Sequence, residues 1–146
     1  MVCFRFAHLI RRHKTLTILC FWFLIFYRVF IEWILGIELH WTTQIGKSFF
    51  LTHGQGTVVN GGTVIGEFCT LRHCTTIGNK KLKSGEFSAS PVLGNYVDIG
   101  AGACIIGGIT IGDNVTIGAG AIVTKDVPSN CIVVGNPGRI INKTEP

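Results

Sequence analysis

Residues 93–123 read LGNYVDIGAGACIIGGITIGDNVTIGAGAIV, and this stretch decides the fold. An aliphatic residue returns at every sixth position, at Leu93, Ile99, Ile105, Ile111, Ile117 and Val123. A period of six matches neither the 3.6-residue repeat of an α-helix nor the two-residue alternation of an ordinary strand. It fits a short strand followed by a tight corner, with the aliphatic side chain pointing inward.

Other positions of the repeat favour the same interpretation. A small or β-branched residue often stands two positions before the aliphatic one, as at Val97, Ala103, Ile109, Val115 and Ala121. Glycine often follows the aliphatic residue, and we attribute this to corners that need a strained or positive φ. Three such strands make one triangular coil, and coils stack about 4.8 Å apart and bury their faces only against each other. The sequence therefore predicts an all-β solenoid, a parallel β-helix.

The repeat continues upstream with two interruptions. The earlier aliphatic positions are Leu39, Ile45, Leu51, Val59, Ile65, Leu71 and Ile77. Two extra residues enter the repeat beside His53, and ten extra residues form a loop at 79–91. A coil gains no stability by ejecting a loop, so we interpret both insertions as functional. The solenoid domain is placed at 38–146.

Residues 1–37 differ from the rest of the chain, because they are apolar, aromatic and basic. The uncharged run at 15–27 is short for a bilayer-spanning helix, which needs about 20 residues. Arg28 and Glu32 are four apart and are expected to pair on one helix face. We predict a short hydrophobic helix that packs on its own domain or on neighbouring subunits, lies at a membrane interface, or spans the membrane. Each alternative leaves the solenoid in the cytoplasm, with association to the inner face of the plasma membrane left open.

Charge and cysteine content narrow the function classes. The formal net charge is +5, but no nucleic-acid-binding motif accompanies it, so nucleic acid is not expected as a partner. The six cysteines include no C-x-x-C pair and fit no metal or disulfide framework. We interpret them as reduced core thiols of a cytosolic protein. The spacing of the histidines does not favour a metal site either.

Two histidines of the repeat region are candidate catalytic residues. His53 and His73 each stand two positions after an inward aliphatic residue, and those aliphatic residues are one full coil apart. We therefore expect the two imidazoles to stack at equivalent corners of adjacent coils. Histidine is suited to take the proton of a hydroxyl near neutral pH. We predict His53 as catalytic base, His73 as a functional neighbour, and Glu38, on the coil below, as the carboxylate that orients His53.

The alternative interpretation is that these histidines and Glu38 have no catalytic role and are ordinary surface residues. A corner histidine is commonly a solvated turn residue, and Glu38 is then an exposed acid at the start of the first coil. If the deprotonated hydroxyl attacks a carbonyl group, donors are also needed for the oxyanion, and we expect a backbone N–H near Gly78 or Gly100 to supply one.

The stretch from 37 to about 141 resembles serine acetyltransferase and its relatives among the hexapeptide-repeat acyltransferases. In that family an acid opens the first coil fifteen residues before the catalytic histidine, as Glu38 does before His53. The resemblance implies a left-handed coil, a homotrimer and acetyl-CoA as acyl donor, with no metal. It also implies a cofactor-binding groove formed by Ala101, Ala119, Thr124 and Lys125, with Arg139 towards the adenine end.

Two positions depart from the serine enzymes. Thr52 precedes His53 where they carry aspartate, and Ala89-Ser90 stand where they carry an arginine–histidine pair. In those enzymes the arginine grips the serine carboxylate, a role that alanine cannot fill. The segment LRHCTTIGN at 71–79 resembles instead the R-H-x-x-T-I-G-N signature of the colanic acid acetyltransferases.

These features together predict an acyl-CoA-dependent O-acetyltransferase. The acceptor that we expect is a sugar hydroxyl in surface polysaccharide biosynthesis. The alternative is an L-serine O-acetyltransferase of cysteine biosynthesis. A β-helix that only scaffolds a complex is a third interpretation, which lack of CoA affinity would favour.

Overall fold

The computed structural model describes residues 1–12 and 14–142. Its helices are α1 (Val2–Arg12), α2 (Lys14–Leu19), α3 (Phe21–Phe26) and a π-helix (Tyr27–Ile34). Its strands are β1 (Ile37–Leu39), β2 (Gln44–Ile45), β3 (Phe50–Thr52), β4 (Thr57–Val59), β5 (Val64–Ile65), β6 (Thr70–Arg72), β7 (Thr76–Gly78), β8 (Val92–Leu93), β9 (Asp98–Ile99), β10 (Cys104–Ile106), β11 (Thr110–Ile111), β12 (Thr116–Ile117), β13 (Ile122–Val123), β14 (Cys131–Val134) and β15 (Arg139–Asn142).

The strands stack in three ladders that form the faces of a solenoid. Face A is β1-β4-β7-β10-β13, face B is β2-β5-β8-β11, and face C is β3-β6-β9-β12-β14, with β15 antiparallel to β14 at its end. From β1 to β13 every third strand returns to the same face, and all pairs except β14–β15 are parallel, so the chain climbs one step per coil through about five coils. The predicted parallel β-helix of hexapeptide repeats is confirmed.

The period of six sets the core. The six aliphatic residues of the 93–123 stretch are at most 3% exposed. The strand register places inward aliphatic residues directly over one another, because Leu71 pairs with Leu51 in the coil below and with Ile99 in the coil above. Each coil therefore buries its inward residues against the two coils beside it, as a solenoid requires.

Glycine follows the aliphatic residue for a different reason from the one expected. Gly66 has no positive φ, and a Cβ built on it would lie 2.6 Å from the carbonyl carbon of Gly94 in the next coil. At this kind of corner the left-handed conformation falls two positions after the glycine, with φ of 54–57° at Ser48, Phe68, Tyr96 and Asn114. The expectation of strained φ was wrong, because close approach between coils selects glycine here.

The helices cap the first coil. Phe4, Ala7 and Ile10 turn one face of α1 into the hydrophobic core. Side chains of the cap also bond to the backbone of coil 1. Arg5 Nη1 donates to the carbonyl of Ile45 at 2.6 Å, and the Tyr27 hydroxyl donates to the carbonyl of Leu39 at 2.7 Å. The cap and the solenoid therefore share one core.

The last helix of the cap has π geometry and contains the expected ion pair. Arg28 Nε lies 3.7 Å from Glu32 Oε2. Burial raises the pKa of the Glu32 carboxyl, Arg28 opposes this shift, and Glu38 adds to it. The hydrophobic segment is divided into short helices, so none that the described residues form has the length and apolar character to cross a bilayer.

Candidate active site

An inserted segment holds His53 at the corner between faces C and A. The inward residues Leu51 and Val59 are eight apart across this corner, whereas Leu71 and Ile77 are six apart across the same corner of the next coil. His53 is exposed and has φ 53°, a left-handed conformation that few non-glycine residues adopt. The next residue, Gly54, is buried, and a Cβ on it would lie 2.8 Å from Leu51 Cδ2. The insertion thus packs through Gly54 and presents His53 to solvent.

His53 and His73 meet at this corner, as the sequence predicts, but their rings do not stack. Their centroids are 6.3 Å apart, and the ring planes make an angle of 74°. The reason lies in the insertion. The Cys74 N–H donates to the carbonyl of Gln55 at 2.9 Å, so His73 lies over Gln55 in the corner ladder and His53 precedes that position by two residues. The expected face-to-face arrangement is therefore wrong, and the edge of one ring faces the other.

Glu38 occupies the coil below, on face A. It is exposed and pairs in register with Val58 of β4. Among the described residues, Glu38 and His53 form neither a hydrogen bond nor an ion pair with each other. The charge of Glu38 instead acts on its own neighbours. Burial, Arg28 and Arg11 lower the pKa of His40, and Glu38 opposes them. Orientation of His53 by Glu38 stays a prediction.

An ion pair that the sequence did not reveal flanks His73. Arg72, on face C, donates to the carboxylate of Asp98 and, at 3.2 Å, to the carbonyl of Ile99. Both side chains are about half exposed. The ten-residue insertion between these two residues hides their adjacency, although both occupy outward positions of the repeat. The pair fixes the strand that leads into the His73 corner.

Ala101 and Ala119 continue the corner ladder above His73. The Gly102 N–H donates to the carbonyl of His73 at 3.0 Å, and the Gly120 N–H donates to that of Ala101 at 2.9 Å. Two of the predicted groove residues therefore share a corner with the histidines. Their methyl side chains leave room for a thin chain to approach the backbone.

The other predicted groove residues lie elsewhere. Thr124 and Lys125 are exposed and follow β13, at the opposite end of face A. They line a cavity of about 170 Å³ with Pro137, and the exposed Arg139 begins β15. The structure therefore separates the five candidates, because Arg139 pairs with Val134 on face C whereas Thr124 and Lys125 follow face A, and their binding of acetyl-CoA stays a prediction.

The loop 79–91 forms a small hairpin between faces A and B. The Leu82 N–H donates to the carbonyl of Glu86 at 2.7 Å. The Ser90 hydroxyl lies 2.8 Å from Asn60 Oδ1 and donates to it, which ties the end of the loop to the coil below. Within one chain, Ala89 and Ser90 thus stand at the other end of face A from His53.

The cysteines are all free, but they differ in exposure. Cys69 and Cys131 are buried, whereas Cys74 is exposed beside His73. Burial raises the pKa of the Cys69 and Cys104 thiols. The core-thiol interpretation therefore fits the buried residues and fails for Cys74. In the described part of the chain, no three metal-ligating side chains come together.

Comparison with known proteins gives the family. Residues 90–125 match the bacterial transferase hexapeptide family (six repeats). The chain is 36% identical over 146 residues to a serine acetyltransferase of Helicobacter pylori, covering 98% of this chain and 80% of that protein. It is 38% identical over 117 residues to a colanic acid biosynthesis acetyltransferase of Escherichia coli, covering 80% and 70%.

Solved structures agree with these relatives. Neisseria gonorrhoeae serine acetyltransferase in complex with serine has a TM-score of 0.80 at 30% identity, over 95% of this chain and 54% of that one. The soybean apoenzyme gives 0.80 at 34%, over 95% and 55%. The chain spans about half the length of these solved enzymes. A serine acetyltransferase of Synechococcus elongatus is 37% identical over 109 residues, which cover 75% of this chain and 44% of that protein. The chain therefore belongs to the serine acetyltransferase family of hexapeptide-repeat acyltransferases, and its solenoid is the left-handed β-helix that the resemblance implies.

Proposed function

We propose that this protein is an acetyl-CoA-dependent O-acetyltransferase whose acceptor is the hydroxyl of L-serine. The observation that carries the proposal is His53, held in a left-handed conformation on an exposed corner beside His73. This choice differs from the sequence prediction, in which a sugar hydroxyl is the expected acceptor and L-serine is the alternative. It is supported by a relative named for serine that matches 98% of the chain, against 80% for the relative named for colanic acid.

The reaction needs one proton shuttle and no covalent enzyme intermediate. His53 accepts the hydroxyl proton while the acceptor oxygen attacks the thioester carbonyl carbon. The tetrahedral intermediate then breaks its C–S bond, and His53 returns the proton to the leaving thiolate. The products are an O-acetyl ester and free CoA. Glu38 orients the imidazole in this proposal, and the neighbouring ring of His73 contacts the acceptor.

The oxyanion donor comes from the insertion in this proposal. Gly100, one of the two expected positions, is excluded because its N–H donates to the carbonyl of Ile117 at 2.7 Å. Among the described residues, the N–H groups of Gly54 and Gln55 donate to no carbonyl. Gly54 and Gln55 are the two residues after His53, and in this proposal their N–H groups donate to the developing oxyanion.

The complete site is proposed to form in a homotrimer. The loop 79–91 and the His53 corner stand at opposite ends of face A, so a neighbouring chain is needed to bring a loop to the histidines. Ala101 and Ala119 then form one wall of the acetyl-CoA groove. Thr124 and Lys125 contribute from the other corner and Arg139 from the end of face C, and the two cations meet the phosphates of CoA.

A sugar acceptor is the second candidate, and two observations favour it. Ala89 and Ser90 replace the arginine–histidine pair of the serine enzymes. The arginine nearest the histidines, Arg72, is already engaged by Asp98 and the Ile99 carbonyl. A serine carboxylate therefore needs another cation, whereas a neutral sugar needs none.

The test is release of free thiol from acetyl-CoA by the purified protein, with L-serine and with a panel of nucleotide-linked sugars in parallel. Release with L-serine is the expected result. Release with a sugar alone would replace the proposed acceptor, and release with neither would contradict the proposal as a whole.

A variant at Ala89 sharpens the choice of acceptor. If the loop of a neighbouring chain contacts the acceptor, Ala89→Arg adds a guanidinium group that can bind the serine carboxylate through two hydrogen bonds. The KM for L-serine should then fall about tenfold, with kcat little changed. The matched control is Ser84→Arg at the exposed tip of the same loop. It adds the same charge and should leave KM unaltered.

A further inference from the structure

The helical cap exposes a large apolar surface that the solenoid leaves uncovered. Apart from Val2 at the chain terminus, its most exposed members, between 56% and 79% accessible, are Ile18, Leu19, Phe21, Trp22, Trp33 and Ile34. We call them the cap surface. Soluble monomers rarely expose contiguous apolar patches larger than a few hundred Å², and larger ones mark contact surfaces. The cap surface therefore requires an occupant.

A row of further aromatic side chains crosses the same helices. Phe6 of α1 meets Phe23 of α3 edge-on, with the ring centroids 4.7 Å apart. Phe23 lies 6.2 Å from Phe26, and Phe26 stacks on Phe30 of the π-helix at 5.2 Å. Phe6, Phe26 and Phe30 are each more than 40% exposed. The row is therefore continuous from α1 to the π-helix and faces solvent.

Positive charge is concentrated in the same segment. Residues 1–37 contain five basic residues and one acid, whereas the rest of the chain contains eight and seven. The single acid, Glu32, is 8% exposed and faces Arg28. Arg11 is exposed near the end of α1, and Arg12, His13 and Lys14 follow it in the sequence. Two copies of so basic a segment repel each other, while an anionic surface attracts it.

We propose that the cap surface docks on an anionic lipid bilayer. Indole and aliphatic side chains, led by Trp22 and Trp33, enter the interface, and Arg11 meets the lipid phosphates. The helices lie in the interfacial plane in this arrangement. The cytoplasmic leaflet carries the negative surface potential that such a segment needs, so the solenoid is placed in the cytoplasm at the inner face of the plasma membrane. The proposal is independent of the acceptor and of acetyl transfer.

The experiment is flotation of the full chain with vesicles of phosphatidylcholine, with and without phosphatidylglycerol, at low and high salt. The test variant is Trp22→Ser with Trp33→Ser, whose side chains are 78% and 71% exposed. The matched control is Tyr96→Ser, which removes an aromatic ring that is 58% exposed on the solenoid. Thiol release is measured on each protein to confirm that the fold and the active site are intact.

We expect binding to the anionic vesicles that weakens at high salt, is about tenfold lower for the double variant, and is unchanged for Tyr96→Ser. Absence of binding to anionic vesicles overturns the proposal, and so does equal binding by the double variant. A fall in assembly mass for the double variant, with no vesicle binding by either protein, overturns it in favour of a contact between copies of the chain.

Discussion

The solenoid and the helical cap share one core, but different kinds of contact position their residues. In the solenoid, each inward residue lies against its equivalents one coil away, as Leu71 lies between Leu51 and Ile99. In the cap no repeat exists, and single contacts such as the bond from Tyr27 to Leu39 fix its position. The candidate active site therefore lies where the repeat is interrupted, at the insertion that holds His53. The cap is left free to display a surface.

The largest effect should come from the interruption itself. His53→Ala removes the proposed base, and turnover should fall by about 10²–10⁴-fold while CoA binding persists. Thiol release and CoA titration measure the two quantities separately. Trp22→Ser in the cap is the matched comparison, and it should keep full turnover. Loss of turnover in the cap variant would show that the two regions do not divide their roles.

Removal of a repeat side chain should come next. Ile105 is fully buried in the middle of the solenoid, so Ile105→Ala leaves a cavity that the rigid coils cannot fill. The free energy of unfolding should fall by about 3–4 kcal/mol, as measured by urea denaturation. Leu24→Ala is the counterpart in the cap, where Leu24 is 7% exposed. Its loss should be smaller, since short helices can shift to close the gap. Equal losses would contradict the difference in packing.

Two glycines of the same repeat position test why glycine is present. Gly66 follows Ile65 and Gly78 follows Ile77, but a Cβ would crowd the next coil only at Gly66. Gly66→Ala should therefore cost about 2 kcal/mol, whereas Gly78→Ala, which meets nothing within 4 Å, should change stability by no more than about 0.5 kcal/mol. Thermal unfolding of the two variants side by side measures this. A similar cost at both sites would favour strain over close approach.

The sequence predicts the solenoid well because its information is local and repeated. A period of six places Ile99 and Ile117 on the same face without knowledge of any distant contact. The cap is harder, because its position depends on long-range bonds such as that from Arg5 to Ile45, which no periodicity encodes. The π geometry of Tyr27–Ile34 is likewise not visible in an apolar run.

The candidate site shows the same division. His53 and His73 can be brought together from spacing alone, because the strands that precede them pair in register. Their edge-on geometry cannot, since it depends on how a two-residue insertion folds. The Arg72–Asp98 pair escapes detection for the same reason, as the ejected loop interrupts the count between them. The insertions therefore shape the candidate site, and they also make its geometry hard to predict from the spacing of the repeat.

The smallest effect concerns the one acid of the cap. Burial raises the folded-state pKa of Glu32 above the ordinary value of 4.5, and its Oε1 is buried without a partner among the described residues. A raised pKa means that the folded state holds this proton longer than the unfolded state does. The free energy of unfolding therefore falls as pH rises from about 4.5 through the folded-state pKa. Glu32→Gln removes this titration, while Arg28, about half exposed, remains solvated.

The variant should match the wild type at pH 4 and exceed it in stability, by up to about 1 kcal/mol, at pH 8. Thermal midpoints at the two pH values measure the difference. The solenoid supplies the control, because Asp98→Asn breaks a solvent-exposed pair with Arg72 and should not stabilise the protein at either pH. If Glu32→Gln is instead less stable at pH 8, the pair with Arg28 outweighs the cost of burial. Charge as well as packing would then stabilise the cap, as the Arg72–Asp98 pair does on the solenoid, and the two regions would differ less in the contacts that hold them.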